Sequence, residues 1–520
     1  MTTNDQMLAG DLLDGARGGG PAIDFEDARW SYAELDRQSN RFAHFFQRIG
    51  LRRGDRVSLL VGNEPALVAA YFGAFRAGVI ANPVNTRLTP PEIAYVLNHA
   101  GSRCVIVSAD LLPVLKTALD SSDERPQVLV LGTMETPDFE AHVEADLLAC
   151  DPAPVSAGSL SEDDGALLIY TSGTTGNPKG VLLTHGNVVA ATQIVSRAFD
   201  ITPQDRTLCV MPLFHTNALM FSHLPFLYAG ATVILRRRFS ASMFWEECRK
   251  SRATSASASP TILALLLAHE AKGPPRGETG LAYIKVASAP TPVELAERFE
   301  ARFGAGLLLE TYGLTETTAI STMNPLKAAR KFGSIGQVLA PQALRILGDD
   351  GQAVAMGCTG EIGLKGPTVM REYFRDPDNT RRAFVAGWFR TGDVGRMDDD
   401  GFVFIVGRKK EMILRGGENI SPLEIEQVAC RHAAVLEAAA VGLPDPIWGE
   451  VVGLCVVAAG PLTGEEVIAF CREHLSAFKV PERIAFIDEL PRNAMGKLVR
   501  GTLRQAFGQA PATRATGGPA

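Results

Sequence analysis

Short apolar runs with branched residues recur between segments of helical period, and this alternation constrains the fold more than any other feature. RVSLLV (Arg56 to Val61), CVIVS (Cys104 to Ser108) and VLVLG (Val128 to Gly132) read as buried strands. Between and before them, Ser31-Tyr-Ala-Glu34 and Thr89-Pro-Pro-Glu92 have the S/T-x-x-E spacing of a capped helix start. Further on, Ala231 to Arg238 reads as a strand and Phe244 to Ala253 as a helix. The alternation predicts an α/β fold, with a parallel or mixed sheet covered on both faces.

At 520 residues and 46% hydrophobic, the chain exceeds one ordinary core, so at least two domains are expected. The pattern changes near Gly401, where GFVFIVGRKKEMI packs a strand, a polar turn and a second apolar segment closely together. SPLEIEQVAC follows, with Ser421 and Glu424 at capping-box spacing. A small α+β unit over about 410–504 is expected, and Gly508 to Ala520 is too poor in large apolar residues to pack. No fixed-period repeat is present.

A formal charge of −7 leaves no basic field to hold nucleic acid. The most apolar stretch, Ala218 to Leu235, is interrupted by Ser222, His223, Pro225 and Gly230, which opposes a transmembrane segment. The chain opens without a basic segment followed by an apolar one, so no secretory signal is expected. Eight cysteines show neither a CxxC pair nor metal-ligand spacing, and all are expected as buried thiols in a reduced cytoplasmic setting.

The segment richest in chemistry is LLIYTSGTTGNPKGVLLTHGN, Leu167 to Asn187. An apolar strand runs into a loop carrying Thr171, Ser172, Thr174, Thr175, Gly173, Gly176, Gly180 and the cation Lys179. Glycines turn tightly and present N–H groups, while hydroxyls and an ammonium add donors, so the loop suits a polyphosphate. It is not the Walker pattern, because Pro178 precedes the lysine and Gly180 follows it.

Six motifs in order, YTSGTTGNPKG, MPLFHTNAL (Met211 to Leu219), ETYGLTET (Glu310 to Thr317), GWFRTGDVG (Gly387 to Gly395), GRKKEMILRGGENISP (Gly407 to Pro422) and PRNAMGK (Pro491 to Lys497), resemble the adenylate-forming superfamily. That superfamily contains acyl-CoA synthetases, luciferases and peptide-synthetase adenylation domains, and the acyl-CoA synthetases are the nearest in kind. The resemblance implies a large N-terminal ATP- and acyl-binding domain of packed sheets and helices, 1–409. It also implies a mobile α+β C-terminal domain, 410–507, followed by a tail at 508–520. The implied substrates are ATP with magnesium, a carboxylic acid and coenzyme A.

A carboxylate attacking a phosphate brings anion against anion, so positive charge must be aimed at the transition state. By resemblance, Lys497 is the catalytic cation, Glu316 ligates magnesium with Thr171 nearby, and His215 lies at the mouth of the acyl pocket. Nucleotide contacts are implied for Thr171, Ser172, Gly173, Thr174, Thr175, Gly176 and Lys179, and again for Glu310, Thr311, Tyr312, Gly313 and Thr315. Tyr312 is the expected adenine-stacking aromatic. Asp393 is the expected ribose acceptor, and Arg408 the second ribose and phosphate contact. Lys410 occupies the hinge position, and Gly417 the position lining the pantetheine passage.

Where the family lines an adenine and acyl wall with Gly-Gly-Ala-Pro, this chain has Ala287, Ser288, Ala289 and Pro290; the resemblance implies nucleotide contacts for the last three, and the added volume is expected to narrow the pocket. Thr216 to Met220 offer neither a carboxylate nor an aromatic cage for a quaternary-amine acid, which points to a largely apolar fatty or alicyclic substrate. A ligase that delivers the acyl group to a carrier protein is the alternative reading, and a luciferase-like oxygenase a remoter one. Whether the chain forms a homodimer is open. Retention of Lys179, Glu316, Asp393, Arg408 and Lys497 opposes a non-enzymatic scaffold.

Overall fold

The runs expected as strands form Arg56–Leu60, Ser102–Ser108 and Gln127–Leu131, which pair side by side in parallel. The computed structural model that shows this describes residues 7–14, 20–132, 141–155, 160–171, 178–269, 273–492 and 498–509. Two compact units result: Met1–Leu344 with Leu364–Phe389, and Arg345–Gly363 with Arg390–Ala520.

The first unit holds two large sheets. One has eight strands and places Gly165–Thr171 beside Ile80–Pro83, with Lys179–Thr184 and then Glu372–Tyr373 added antiparallel at that edge. The other has nine strands, whose centre is a parallel run of Thr232–Leu235, Arg206–Cys209, Ser255–Ala258, Tyr283–Val286 and Leu308–Tyr312.

Helix Tyr32–Arg48 starts where expected, with the Ser31 hydroxyl accepting from the Glu34 N–H. Helix Pro90–Ala100 starts at Thr89, whose N–H and hydroxyl both donate to Glu92. Helix Pro65–Ala77 is apolar on nearly every face and is buried accordingly.

In the second unit, Val435–Asp445 and Gly449–Ala458 form a long antiparallel pair, with Ile413–Arg415 at one edge and Arg483–Phe486 parallel at the other. Period-two alternation splits their side chains between two cores. Ala438, Ala440, Val452, Leu454 and Val456 join one, against helices Pro422–Ala429 and Gly464–His474. Ala439, Val441, Leu443, Val451 and Cys455 join the other, with Leu503 and Phe507 of helix Arg500–Gln509. Val403–Arg408 does not pair with the apolar segment after it but with Trp388–Met397. Ser421 caps its helix through the Glu424 N–H as expected, whereas the Glu424 carboxylate takes Lys479 instead of closing a capping box.

Six of the eight cysteines are buried free thiols, but Cys358 is exposed and Cys430 half-buried, so uniform burial does not hold. Helix Arg500–Gln509 runs to Gln509, and 510–520 lie outside the described residues. Among the described residues no helix is long and apolar enough to cross a membrane.

Helix Arg500–Gln509 is anchored by its first residue. The Arg500 guanidinium binds Glu426 through two nitrogens and reaches Glu411 at 2.9 Å. Burial pushes the Glu426 carboxyl up from its ordinary range despite this partner. Removing one member of a buried pair leaves the other charge uncompensated, a loss of about 3–5 kcal/mol. Arg500→Met is therefore expected to lower hydrogen-exchange protection across Val435–Asp445, and adding Glu426→Leu to restore most of it. Unchanged protection in the single variant contradicts the anchor.

Candidate functional site

The candidate phosphate loop lies between two antiparallel strands. Gly165–Thr171 runs out and Lys179–Thr184 returns, with Thr171 opposite Lys179 and Tyr170 opposite Gly180. Ser172, Gly173, Thr174, Thr175 and Gly176 lie outside the described residues. Gly180 is not a turn glycine: it sits in the ladder, where a Cβ would come within 2.9 Å of Leu168 and 3.3 Å of the Tyr170 ring.

Three chain segments meet at the Lys179 side of this hairpin. The Lys179 ammonium lies 4.7 Å from the Tyr373 ring centroid, and the Tyr373 hydroxyl donates to Glu316 Oε1 at 2.9 Å. Tyr373 is held opposite Val181 in the sheet, and the Met370 N–H donates to the Glu316 carbonyl at 2.8 Å. Thus Glu316 and Lys179, two candidates far apart in sequence, are joined through one tyrosine. No motif drew attention to Tyr373, whose two-residue strand carries too little periodicity to be read.

Glu316 lies on the short turn Thr315–Thr317, just beyond strand Leu308–Tyr312. Gly313 is required there because a Cβ would fall 1.9 Å from the Ala319 carbonyl oxygen. Thr318 and Ala319 both take left-handed backbone conformations, and the Thr318 hydroxyl donates to the Thr368 carbonyl at 2.6 Å. Thr311 donates to the Val286 carbonyl at 3.1 Å, and Tyr312 is buried at the strand's end. Burial raises the Glu310 carboxyl to about 7, against the opposing hydrogen bonds from the Thr291 hydroxyl and the Gly333 N–H.

The segment Met211 to Leu219 follows the carboxyl end of Arg206–Cys209 and is pinned by buried bonds. Asn63 donates to the Met211 carbonyl at 2.9 Å and accepts from the Leu213 N–H at 2.8 Å, while Tyr71 donates to the Leu213 carbonyl at 3.0 Å. His215 is half-buried, edge-on to Phe214 at 4.5 Å between ring centroids. Asn217 donates to the Ser288 hydroxyl at 2.8 Å. Ser288 has φ of +79°, so the position keeps a backbone conformation that favours glycine while carrying a side chain. Ala289 and Pro290 are exposed, and the Ser288 bond to Asn217 was not legible from sequence spacing.

In the second unit, Asp393 and Arg408 face each other across adjacent antiparallel strands. The Arg408 Nε donates to Asp393 Oδ1 at 2.6 Å, and Asp393 is 4% exposed. Two residues expected as separate ribose contacts are therefore partners of each other. The local turn belongs to Thr391, whose hydroxyl accepts from the Asp393 N–H at 3.1 Å. Lys410 is exposed. Gly416 and Gly417, with φ of +57° and +92°, turn the hairpin between Ile413–Arg415 and Glu418–Ile420. This turn alone accounts for glycine at 417. Lys497 lies outside the described residues.

Residues 15–374 match the AMP-binding enzyme family, and 424–497 match the AMP-binding enzyme C-terminal domain. A sulfoacetate–CoA ligase of Cupriavidus necator is 39% identical over 480 residues, 90% of this chain and 91% of that protein. A long-chain-fatty-acid–CoA ligase of Mycobacterium tuberculosis is 34% identical, over 92% of this chain and 94% of its own length. Among solved structures, ATP-bound MatB from Rhodopseudomonas palustris superposes with a TM-score of 0.88 at 29% identity, covering 97% and 99% of the two chains.

Glu310 supplies a pH-dependent test of the site's burial. Its folded pKa of about 7 lies above the ordinary 4.5, so the native state holds a proton that the unfolded state releases. Stability from this group is full below about 4.5 and is lost as pH rises through 7. Glu310→Gln, which mimics the protonated form, is expected to match the wild type in melting temperature at pH 5 and exceed it at pH 8. An equal difference at both pH values contradicts the assignment.

Proposed function

Because the chain belongs to the AMP-binding enzyme family and is an ATP-dependent acyl-CoA ligase, we propose that Lys179, Tyr373 and Glu316 hold the triphosphate of ATP and its magnesium ion. An acid carboxylate oxygen attacks the α-phosphorus, forming the acyl–phosphate bond and releasing pyrophosphate. The sulfur of coenzyme A then attacks the acyl carbonyl, a thioester forms, AMP leaves, and the thiol proton passes to solvent.

The observation carrying the site assignment is the Tyr373 hydroxyl on Glu316 beneath the Lys179 ammonium. Among the described residues no cluster of three or more His, Cys, Asp or Glu could hold a metal alone. Magnesium is content with one or two carboxylates completed by phosphate and water oxygens, so Glu316 with the Thr171 hydroxyl fits it. Bound there, the ion would neutralise charge on the phosphates. Tyr373 acts as a positioning residue, fixing one Glu316 oxygen and holding the Lys179 ammonium over its ring.

The remaining assignments extend the same reading. Ser172, Gly173, Thr174, Thr175 and Gly176 supply further phosphate donors, and Tyr312 the adenine platform, with Gly313 and Thr315 in the adjoining wall. Asp393 accepts from the ribose hydroxyls, oriented by Arg408. His215 stands near the acid carboxylate, and the Asn217 bond to Ser288 closes part of the pocket wall. Lys497 brings the cation that offsets anion–anion repulsion, and 410–507 turns about Lys410 so that the backbone at Gly417 serves the thiol step. A cytoplasmic setting is supported by the buried free thiols.

The test measures pyrophosphate release and thioester formation separately. Lys497→Ala is expected to slow the first by roughly a hundredfold, the scale of losing a transition-state charge partner, and to spare the second when acyl adenylate is supplied. Equal loss in both steps with folding intact contradicts that role, and acylation of a carrier protein in place of coenzyme A would favour the alternative acceptor. Tyr373→Phe keeps the ring but removes the hydroxyl, at about 1 kcal/mol for one hydrogen bond. It is expected to raise the magnesium concentration needed for half-maximal pyrophosphate release several-fold. An unchanged magnesium dependence overturns the positioning role.

A further inference from the structure

Lys285 lies on strand Tyr283–Val286, paired with Ser257 on one side and Leu309 on the other, and is 1% exposed. Strand alternation puts Ile284 and Val286 in one apolar cluster and turns Lys285, with Tyr283, toward the other. Its ammonium donates to the Phe221 carbonyl at 2.9 Å and the Thr207 hydroxyl at 3.2 Å, 4.4 Å from the Phe226 ring centroid. An ammonium has three donors, and no carboxylate among the described residues pairs with this one.

His223 follows two residues after Phe221, fully buried, and neither ring nitrogen has a hydrogen-bond partner among the described residues. Burial, with the Lys285 charge as a second cause, holds its pKa down at about 3, so the ring is neutral, with one donor and one acceptor. The Ser222 and Ser257 hydroxyls, 2.7 Å apart, tie the π-helical turn Ala218–His223 to the strand beside Lys285. That turn directly continues the segment carrying His215 and Asn217.

Burial pulls the Lys285 pKa down to about 7, and its bonds to the Phe221 carbonyl and the Thr207 hydroxyl still leave it without a counter-charge beside an imidazole without a partner, an arrangement that packing alone does not favour. π-helical turns also occur frequently at functional sites. We propose that Lys285 and His223 form an anion-recognising subsite at the far end of the acyl pocket. The acid then carries a second anionic oxygen group remote from the carboxylate that is adenylated. This inference rests on the acyl-CoA ligase reading, and it replaces the expectation of a largely apolar acid.

The experiment measures kcat/KM for pyrophosphate release with acids paired by carbon count: malonate with propanoate, succinate with butyrate, and glutarate with pentanoate. 3-Sulfopropanoate separates a sulfonate from a carboxylate at the far end. At least one dianionic member is expected to exceed its partner by roughly a hundredfold, the scale of one or two charge-assisted hydrogen bonds. Lys285→Met, similar in volume and suited to an apolar layer, is expected to bring that ratio to near one. His223→Leu is expected to reduce it in the same direction, which tests the subsite even if the lysine variant does not fold. The proposal is overturned if the wild type prefers the monoanionic members. It is equally overturned if Lys285→Met lowers both members of a pair by one factor. If no acid of either kind releases pyrophosphate, the activity itself is misread and the subsite falls with it.

Discussion

One apolar layer, shared by the eight-stranded and nine-stranded sheets of the first unit, is the constraint on which the site's geometry depends. Val57, Leu59 and Ile106 enter it from one sheet, and Cys209, Val233, Tyr283 and Leu309 from the other. Helices Tyr32–Arg48, Pro65–Ala77 and His185–Ala198 contribute to the same layer. Close approach is part of the design: a Cβ at Gly73 would fall 2.4 Å from the Phe42 Cβ, so two of these helices touch where the glycine permits it. Interiors packed at this density deform little, and strand ends that emerge from such a layer hold their positions.

Those strand ends carry the candidate residues. Met211 to Leu219 follows Arg206–Cys209, Ser288 follows Tyr283–Val286, and Gly313 to Ala319 follows Leu308–Tyr312, all at carboxyl ends of parallel strands of one sheet. Ligands of open parallel sheets bind in this position because the loops there converge. The hairpin of the candidate phosphate loop comes from the other sheet, and among the described residues its Lys179 is linked to Glu316 through Tyr373. A third segment was thus needed to join candidates that the motifs place on separate elements.

Legibility followed the strength of local signals. Strands such as Arg56–Leu60 and helix starts such as Thr89 were readable because period and cap chemistry act within a few residues. Val403–Arg408 was readable as a strand but not its partner, since pairing with Trp388–Met397 depends on contacts a single strand does not encode. The same limit hid the pairing of Asp393 with Arg408: both stood out as nucleotide contacts, yet only the register of two strands reveals that they face each other. Lys285 was missed for the opposite reason. A lysine between Ile284 and Val286 reads as an edge of a strand facing water, and only the assembled sheet shows it enclosed.

Backbone strain marks the same strand ends. Ser288, Thr318 and Ala319 have positive φ without being glycines, and Thr318 is β-branched, the residue class least suited to it. Such conformations cost on the order of 1–3 kcal/mol each and persist only where the surroundings over-determine them. The surroundings here are identifiable: Asn217 grips the Ser288 hydroxyl, Thr318 is tied to the Thr368 carbonyl, and the Ala319 N–H donates to the Leu314 carbonyl at 2.9 Å. Other non-glycine residues with positive φ, such as Asp200 and Arg252, sit just past helix ends, where left-handed caps are ordinary. At Ser288 and Thr318 side-chain bonds hold the strain at the ends of two adjacent strands, and at Ala319 a backbone bond does so. These strained positions lie beside Asn217 and Glu316, which belong to the candidate site on independent grounds.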